Sequence, residues 1–138
     1  MSVSDATTLD EKYVGKKTVG VTKTILIVED DDSIGKFLVM ALSLETPYIA
    51  LHVTDGYQAL SAMSTMRPDL VITDYRLPRM DGLELYDLLE KKHIIDHTPV
   101  IVMSAYLPEQ EIRKRKLIGM SKPFELDDLL NMVKQLLA

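Results

Sequence analysis

The chain has 138 residues, enough for one compact domain with a packed core and too few for a second of ordinary size. Its 46% hydrophobic and 27% charged residues match a soluble globular profile, and a formal net charge of −5 argues against the basic surface that a nucleic-acid grip requires. With no cysteine there is no disulfide framework, thiolate metal site or cysteine nucleophile, and no apolar run is long enough to span a bilayer. The expectation is a cytoplasmic protein that binds neither nucleic acid nor membrane.

Residues 1–22 are rich in Ser, Thr, Lys, Asp and Gly and carry only isolated apolar side chains, Tyr13-Val14 and Val19 among them. Too little apolar surface is available there to offset ordering entropy, which predicts a flexible N-terminal extension. From Lys23 to Ala138 short apolar runs alternate with helical patterns. Thr24 to Val28 is β-branched and continuous, as a strand buried on both faces should be. Ile34, Phe37, Leu38, Ala41 and Leu42 then paint one face of a first helix, with Asp31 or Asp32 placed to cap it.

Tyr48 to Val53 predicts a second strand and Gly56 to Met66 a second helix, with Leu60 and Met63 inward. A third strand covers Asp69 to Thr73, a loop covers Pro78 to Gly82, and Leu85, Leu88 and Leu89 mark a third helix ending near His93. Pro99 opens a fourth strand that runs to Ser104. A short charged helix is expected within Pro108 to Arg115, with Ile112 as its apolar anchor, and Arg113 to Lys116 as its solvated end. A fifth strand, Leu117 to Met120, precedes a last helix whose buried stripe is Leu126, Leu129, Leu130, Val133, Leu136 and Leu137. Five βα units in succession predict an α/β fold, a doubly wound parallel sheet with helices on both faces.

Four strands end on polar residues: Glu29-Asp30, Asp74, Ser104 and Ser121-Lys122. Ligands of open parallel sheets bind outside the carboxyl ends of the strands, so these residues can converge on one crevice. Three carboxylates, a hydroxyl and an ammonium suggest a divalent cation and a phosphoryl group.

In Ile-Leu-Ile-Val-Glu29-Asp30-Asp31, Ile-Thr-Asp74-Tyr-Arg-Leu-Pro78-Arg-Met-Asp81-Gly82, Val-Met-Ser104-Ala105 and Ser-Lys122-Pro123-Phe124, the chain resembles the receiver domains of two-component response regulators. The resemblance covers Lys23 to the end. It implies a flavodoxin-like (βα)5 sheet with strand order 2-1-3-4-5, and transfer of a phosphoryl group from a phosphohistidine to one aspartate.

Carried over residue by residue, the resemblance makes Asp74 the phosphoacceptor nucleophile, a task open to a carboxylate. Asp30 would ligate Mg²⁺, or Mn²⁺ in its place, directly, and Glu29 would hold it through water, with Asp74 and the backbone carbonyl of Arg76 completing the protein ligands. Lys122 and Ser104 would contact the phosphoryl oxygens, with Lys122 aimed by a cis bond to Pro123. Arg76 and Tyr106 would flank the site and modulate attack by water. Pro78, Gly82 and Pro123 would be structural.

Partners would be a sensor histidine kinase or histidine phosphotransfer protein and an unidentified output protein, with a homodimer left open. Because the chain ends at Ala138, a stand-alone receiver that is not an enzyme in the ordinary sense is expected. The Ser104-to-Lys122 stretch is shorter than the family pattern by roughly one helical turn. The usual switch aromatic falls on Gly119, which has no ring, so helix four should be shortened and weakly held. Two rivals remain: a pseudo-receiver that only binds partners, and a haloacid-dehalogenase-type phosphatase using Asp30-Asp31-Asp32 as its Asp-x-Asp pair.

Overall fold

The computed structural model describes residues 22–138, so nearly all of the extension expected over 1–22, including Tyr13-Val14 and Val19, lies outside the described residues. Five strands, β1 (Thr24–Val28), β2 (Ile49–Val53), β3 (Leu70–Asp74), β4 (Val100–Ser104) and β5 (Ile118–Ser121), form one sheet in the order β2-β1-β3-β4-β5. Every pairing is parallel, in agreement with the predicted fold. The helices are α1 (Asp32–Glu45), α2 (Gly56–Ala62), α3 (Gly82–Lys91), α4 (Glu109–Lys114) and α5 (Leu126–Leu137). Among the described residues no helix is long and apolar enough to cross a membrane.

The period-two alternation of the strands divides the core into two layers. Ile25, Ile27, Leu70, Ile72, Ile101 and Met103 face α1 and α5, packing on Leu38, Leu42, Leu129 and Val133. Leu26, Val28, Val71, Val100 and Val102 face the other way, onto Ala59, Met63, Leu85, Leu89 and Ile112. Each fully buried Ile or Leu contributes about 1.5–3 kcal/mol, which anchors β1, β3 and β4 and therefore fixes where their carboxyl ends stand.

Asp31 is the cap of α1, its carboxylate accepting the Ile34 N–H at 3.0 Å. The face predicted for α1 needs correction: Leu38, Ala41 and Leu42 are buried, but Ile34 is 44% and Phe37 49% exposed. The inward position at the start of the helix is taken by Gly35 instead. A Cβ there would lie within 2.1–2.5 Å of the His52 ring, so only glycine admits the imidazole, although mid-helix glycine costs about 1 kcal/mol.

Helix α2 stops at Ala62 rather than Met66. Ser64 and Thr65 hydroxyls donate to the Ser61 and Ala62 carbonyls, and such local bonds compete with helix continuation. Met63 is fully buried as expected, whereas Leu60 is only partly so.

Helix α4 is short, and Ile112 is its buried residue, as predicted. Its basic end is not merely solvated, however: Arg115 forks onto Asp87 of α3 at 2.8 and 2.9 Å and onto Glu111 at 2.9 Å. A Cβ on Gly119 would lie 3.1 Å from Leu107 Cδ1 and 3.5 Å from Ile112 Cδ1, so aliphatic side chains cover the place of the missing ring.

The Pro78-to-Gly82 loop folds back on β3, with the Gly82 N–H donating to the Tyr75 carbonyl at 2.8 Å. Asp81 and Glu84 close a capping box that starts α3 immediately after it. A Cβ on Gly82 would stand 2.4 Å from the Asp74 carbonyl oxygen, which is backbone and cannot swing away. Gly82→Ala should therefore cost about 1–3 kcal/mol in urea denaturation. Gly119→Ala, meeting only the end of a leucine side chain, should change stability by less than about 1 kcal/mol. Equal effects of the two would contradict the tight contact at Gly82.

Candidate functional site

The carboxyl ends of β1, β3, β4 and β5 open onto a cleft of about 550 Å³, and the predicted residues Glu29, Asp30, Asp74, Arg76, Ser104, Tyr106 and Lys122 all line it. Asp74 is the last residue of β3 rather than the first after it, still in register with Met103 of β4, and is 5% exposed. Lys122 follows β5 directly. Its N–H donates to the Ser104 carbonyl at 2.9 Å, and its bond to Pro123 is cis, as the resemblance implied. The ammonium lies 2.7 Å from Asp74 Oδ1 and 3.8 Å from Glu29 Oε1.

Glu29, at the end of β1, is 2% exposed. Its Oε2 accepts the Asp31 N–H at 3.0 Å, while Oε1 is buried without a hydrogen-bond donor. Burial pushes its pKa up, the hydrogen bond and charge of Asp74 push it further, and the opposing effects of the Asp31 N–H and Lys122 are too small to stop it rising to about 7. Burial works against the Lys122 ammonium as well. The hydrogen bond and charge of Asp74, joined by the charges of Glu29 and Asp30, outweigh it and hold that pKa above the ordinary lysine value.

Glu29, Asp30 and Asp74 each offer an oxygen, all within 4.8 Å of one another. Three carboxylates face one ammonium, and one of their buried oxygens has no donor. A donor set made only of hard, negatively charged oxygens, held in excess over the local positive charge, fits Mg²⁺ or Mn²⁺.

The rim is set by loops. Arg76 has its guanidinium 5.9 Å from the centre of the Tyr75 ring, and Tyr106 is 83% exposed on the side of β4. Ser104 Oγ donates to the Tyr106 carbonyl at 3.2 Å and accepts the Tyr106 N–H at 3.1 Å, so its hydroxyl is engaged in its own loop. Asp32 belongs to the first turn of α1, where it pairs with Lys36 at 3.0 Å, and it does not join Asp30 in lining the cleft. Sequence reasoning missed His52, whose Nε2 lies 2.8 Å from the Glu29 carbonyl oxygen. The one trace it left is a glycine in the inward register of α1.

A carboxyl group with a raised pKa holds its proton longer in the folded than in the unfolded chain. It costs nothing below the ordinary glutamate pKa of 4.5 and its full penalty above about 7. Glu29→Gln keeps an acceptor for the Asp31 N–H and removes the charge. In EDTA the variant should be more stable than the parent at pH 8, by about 1–3 kcal/mol, with the difference vanishing near pH 4. Denaturant titrations at the two pH values measure this; a difference independent of pH would contradict the assigned cause.

The family model for the response regulator receiver domain matches residues 25–134. Sporulation initiation phosphotransferase F of Bacillus subtilis is 34% identical over 121 residues, covering 85% of this chain and 95% of that protein. Regulatory protein AtoC of Escherichia coli is 34% identical over 115 residues, covering 80% of this chain but 24% of that much longer protein. Among solved structures, chemotaxis response regulator CheY4 of Vibrio cholerae superimposes with a TM-score of 0.76 at 26% identity, over 84% of this chain and 99% of that one. Strand order, the acidic crevice and these matches agree, and the chain belongs to the response regulator receiver domain family.

Proposed function

We propose that residues 23–138 act as the phosphoacceptor of a histidine-to-aspartate relay, with Asp74 as acceptor. The observation that carries the assignment is the buried Asp74 carboxylate held 2.7 Å from Lys122 beside two further carboxylates. An Asp74 oxygen attacks the phosphorus of a phosphohistidine on a sensor kinase or phosphotransfer protein. The phosphorus–nitrogen bond breaks with its electron pair left on the imidazole, and an acyl phosphate forms on Asp74. Bound by Asp30, Glu29 and Asp74, with the Arg76 carbonyl beside them, Mg²⁺ would neutralise charge on the phosphoryl oxygens.

Lys122 is placed to exchange its Asp74 contact for one to a phosphoryl oxygen. Ser104 reaches the same group once its hydroxyl leaves the Tyr106 carbonyl. Arg76 and Tyr106, which both line the cleft, restrict the approach of water to the acyl phosphate. The chain catalyses its own loading and unloading and signals through protein contacts. Phosphohistidine donors and free Mg²⁺ of the cytoplasm suit that role.

Asp74→Asn keeps the shape of the side chain but cannot attack phosphorus; labelling by acetyl phosphate with Mg²⁺ should fall to background while the circular dichroism spectrum stays parental. Undiminished labelling by intact-mass spectrometry would move the acceptor elsewhere. Asp30→Asn removes one charged ligand and should weaken Mg²⁺ binding by roughly tenfold or more in a calorimetric titration. Parental affinity would show that Asp30 does not touch the ion.

A further inference from the structure

Between β1 and β2 the ladder alternates from the Ile49 N–H on the Lys23 carbonyl at one end to the Glu29 N–H on the Val53 carbonyl at the other. The next rung of this parallel pattern would bring the Asp55 N–H to the Glu29 carbonyl. The chain turns away first, because Asp55 caps α2 through its carboxylate. The Glu29 carbonyl is thus left beyond the ladder, and His52 Nε2 meets it at 2.8 Å. A carbonyl oxygen can only accept, so Nε2 carries the hydrogen. The ring passes through the space that Gly35 leaves open, where no other residue would admit it.

We propose that His52 is a positioning residue for the metal-binding carboxylates, a side-chain substitute for the missing rung. The Glu29 carbonyl and the Asp30 N–H share one peptide plane. Fixing that carbonyl fixes the plane from which the Asp30 carboxylate departs, while the Glu29 N–H is already held by Val53 at 3.0 Å. Gly35 and His52 thereby form a matched pair: the helix accepts a poor residue so that a donor from β2 can reach the end of β1. Partners one shell out from a metal site orient its ligands in this manner. The inference rests on the assignment of Glu29 and Asp30 as metal ligands.

Three variants separate the hydrogen bond from packing. His52→Leu fills the space over Gly35 without a donor, His52→Gln places an amide nitrogen equally many bonds from Cβ, and the double variant Gly35→Ala with His52→Ala closes the gap with a better helix former. Mg²⁺ affinity is read by calorimetry, and hydrogen exchange of the Asp30 and Asp31 amides is read in EDTA. His52→Leu and the double variant should each bind Mg²⁺ roughly tenfold more weakly and exchange faster at both amides, whereas His52→Gln should stay near the parent. Parental affinity and exchange in either donor-free variant would overturn the proposal, as would equal losses in His52→Gln. Asp30→Asn is the control: if it too binds Mg²⁺ at parental affinity, the metal assignment fails, and the exchange measurements alone decide whether His52 holds the peptide.

Discussion

Three carboxylates held against a single ammonium at the top of a buried sheet are the constraint around which the rest of this molecule is organised. Glu29 and Asp74 are almost wholly buried, and among the described residues their close counter-ion is Lys122. Such an arrangement works against folding, since burial and the neighbouring Asp74 raise the pKa of Glu29 and a buried oxygen without a donor forfeits its hydration. It persists because the strands beneath it are fixed by apolar layers on both faces, with Ile27, Val28, Ile72 and Val102 fully buried just below the site. The core supplies rigidity, and the cleft holds three carboxylates against one ammonium, an excess of negative oxygens that fits a divalent cation.

Everything that shapes the cleft is a consequence of how each strand ends. Gly82 lets a loop close over the Asp74 carbonyl, Asp31 turns β1 into α1, and Asp55 turns β2 into α2 one rung before the ladder is complete. On the far side, the short α4 is held by the Arg115 fork to Asp87, and Leu107 and Ile112 occupy the neighbourhood of Gly119. The Ser104 hydroxyl ties together residues 104 to 106, and Leu107 follows next in the chain.

The buried strands and their polar ends were legible because both signals are local: a continuous β-branched run and a charged residue closing it. That Asp30, Asp74 and Lys122 share one cleft followed from each standing at a strand end, whereas the strand order came from the family resemblance that the four motifs carry. Helix faces were less legible. Ile34 and Phe37 have the periodicity of core residues, yet both are about half exposed and line a shallow groove shared with Phe124 and Leu126. The end of α2 was overrun because apolar Met63 and Met66 suggested helix while Ser64 and Thr65 bond locally against it. His52 bonds a carbonyl 23 residues away and Arg115 forks onto Asp87 28 residues away, so neither a periodicity nor a motif could reveal these two contacts.

The central claim is that the carboxylate cluster carries negative charge in excess, which a divalent cation relieves. It is tested most directly by thermal denaturation with Mg²⁺ and with Na⁺ at matched ionic strength across pH 5 to 8. A ligand that binds only the folded chain stabilises it in proportion to its occupancy, and Glu29 competes for a proton up to about pH 7. Mg²⁺ should therefore raise the melting temperature at pH 8, Na⁺ should not, and the gain should shrink as the pH falls below 7. An equal gain from both salts, or a Mg²⁺ gain that does not change with pH, would contradict the account.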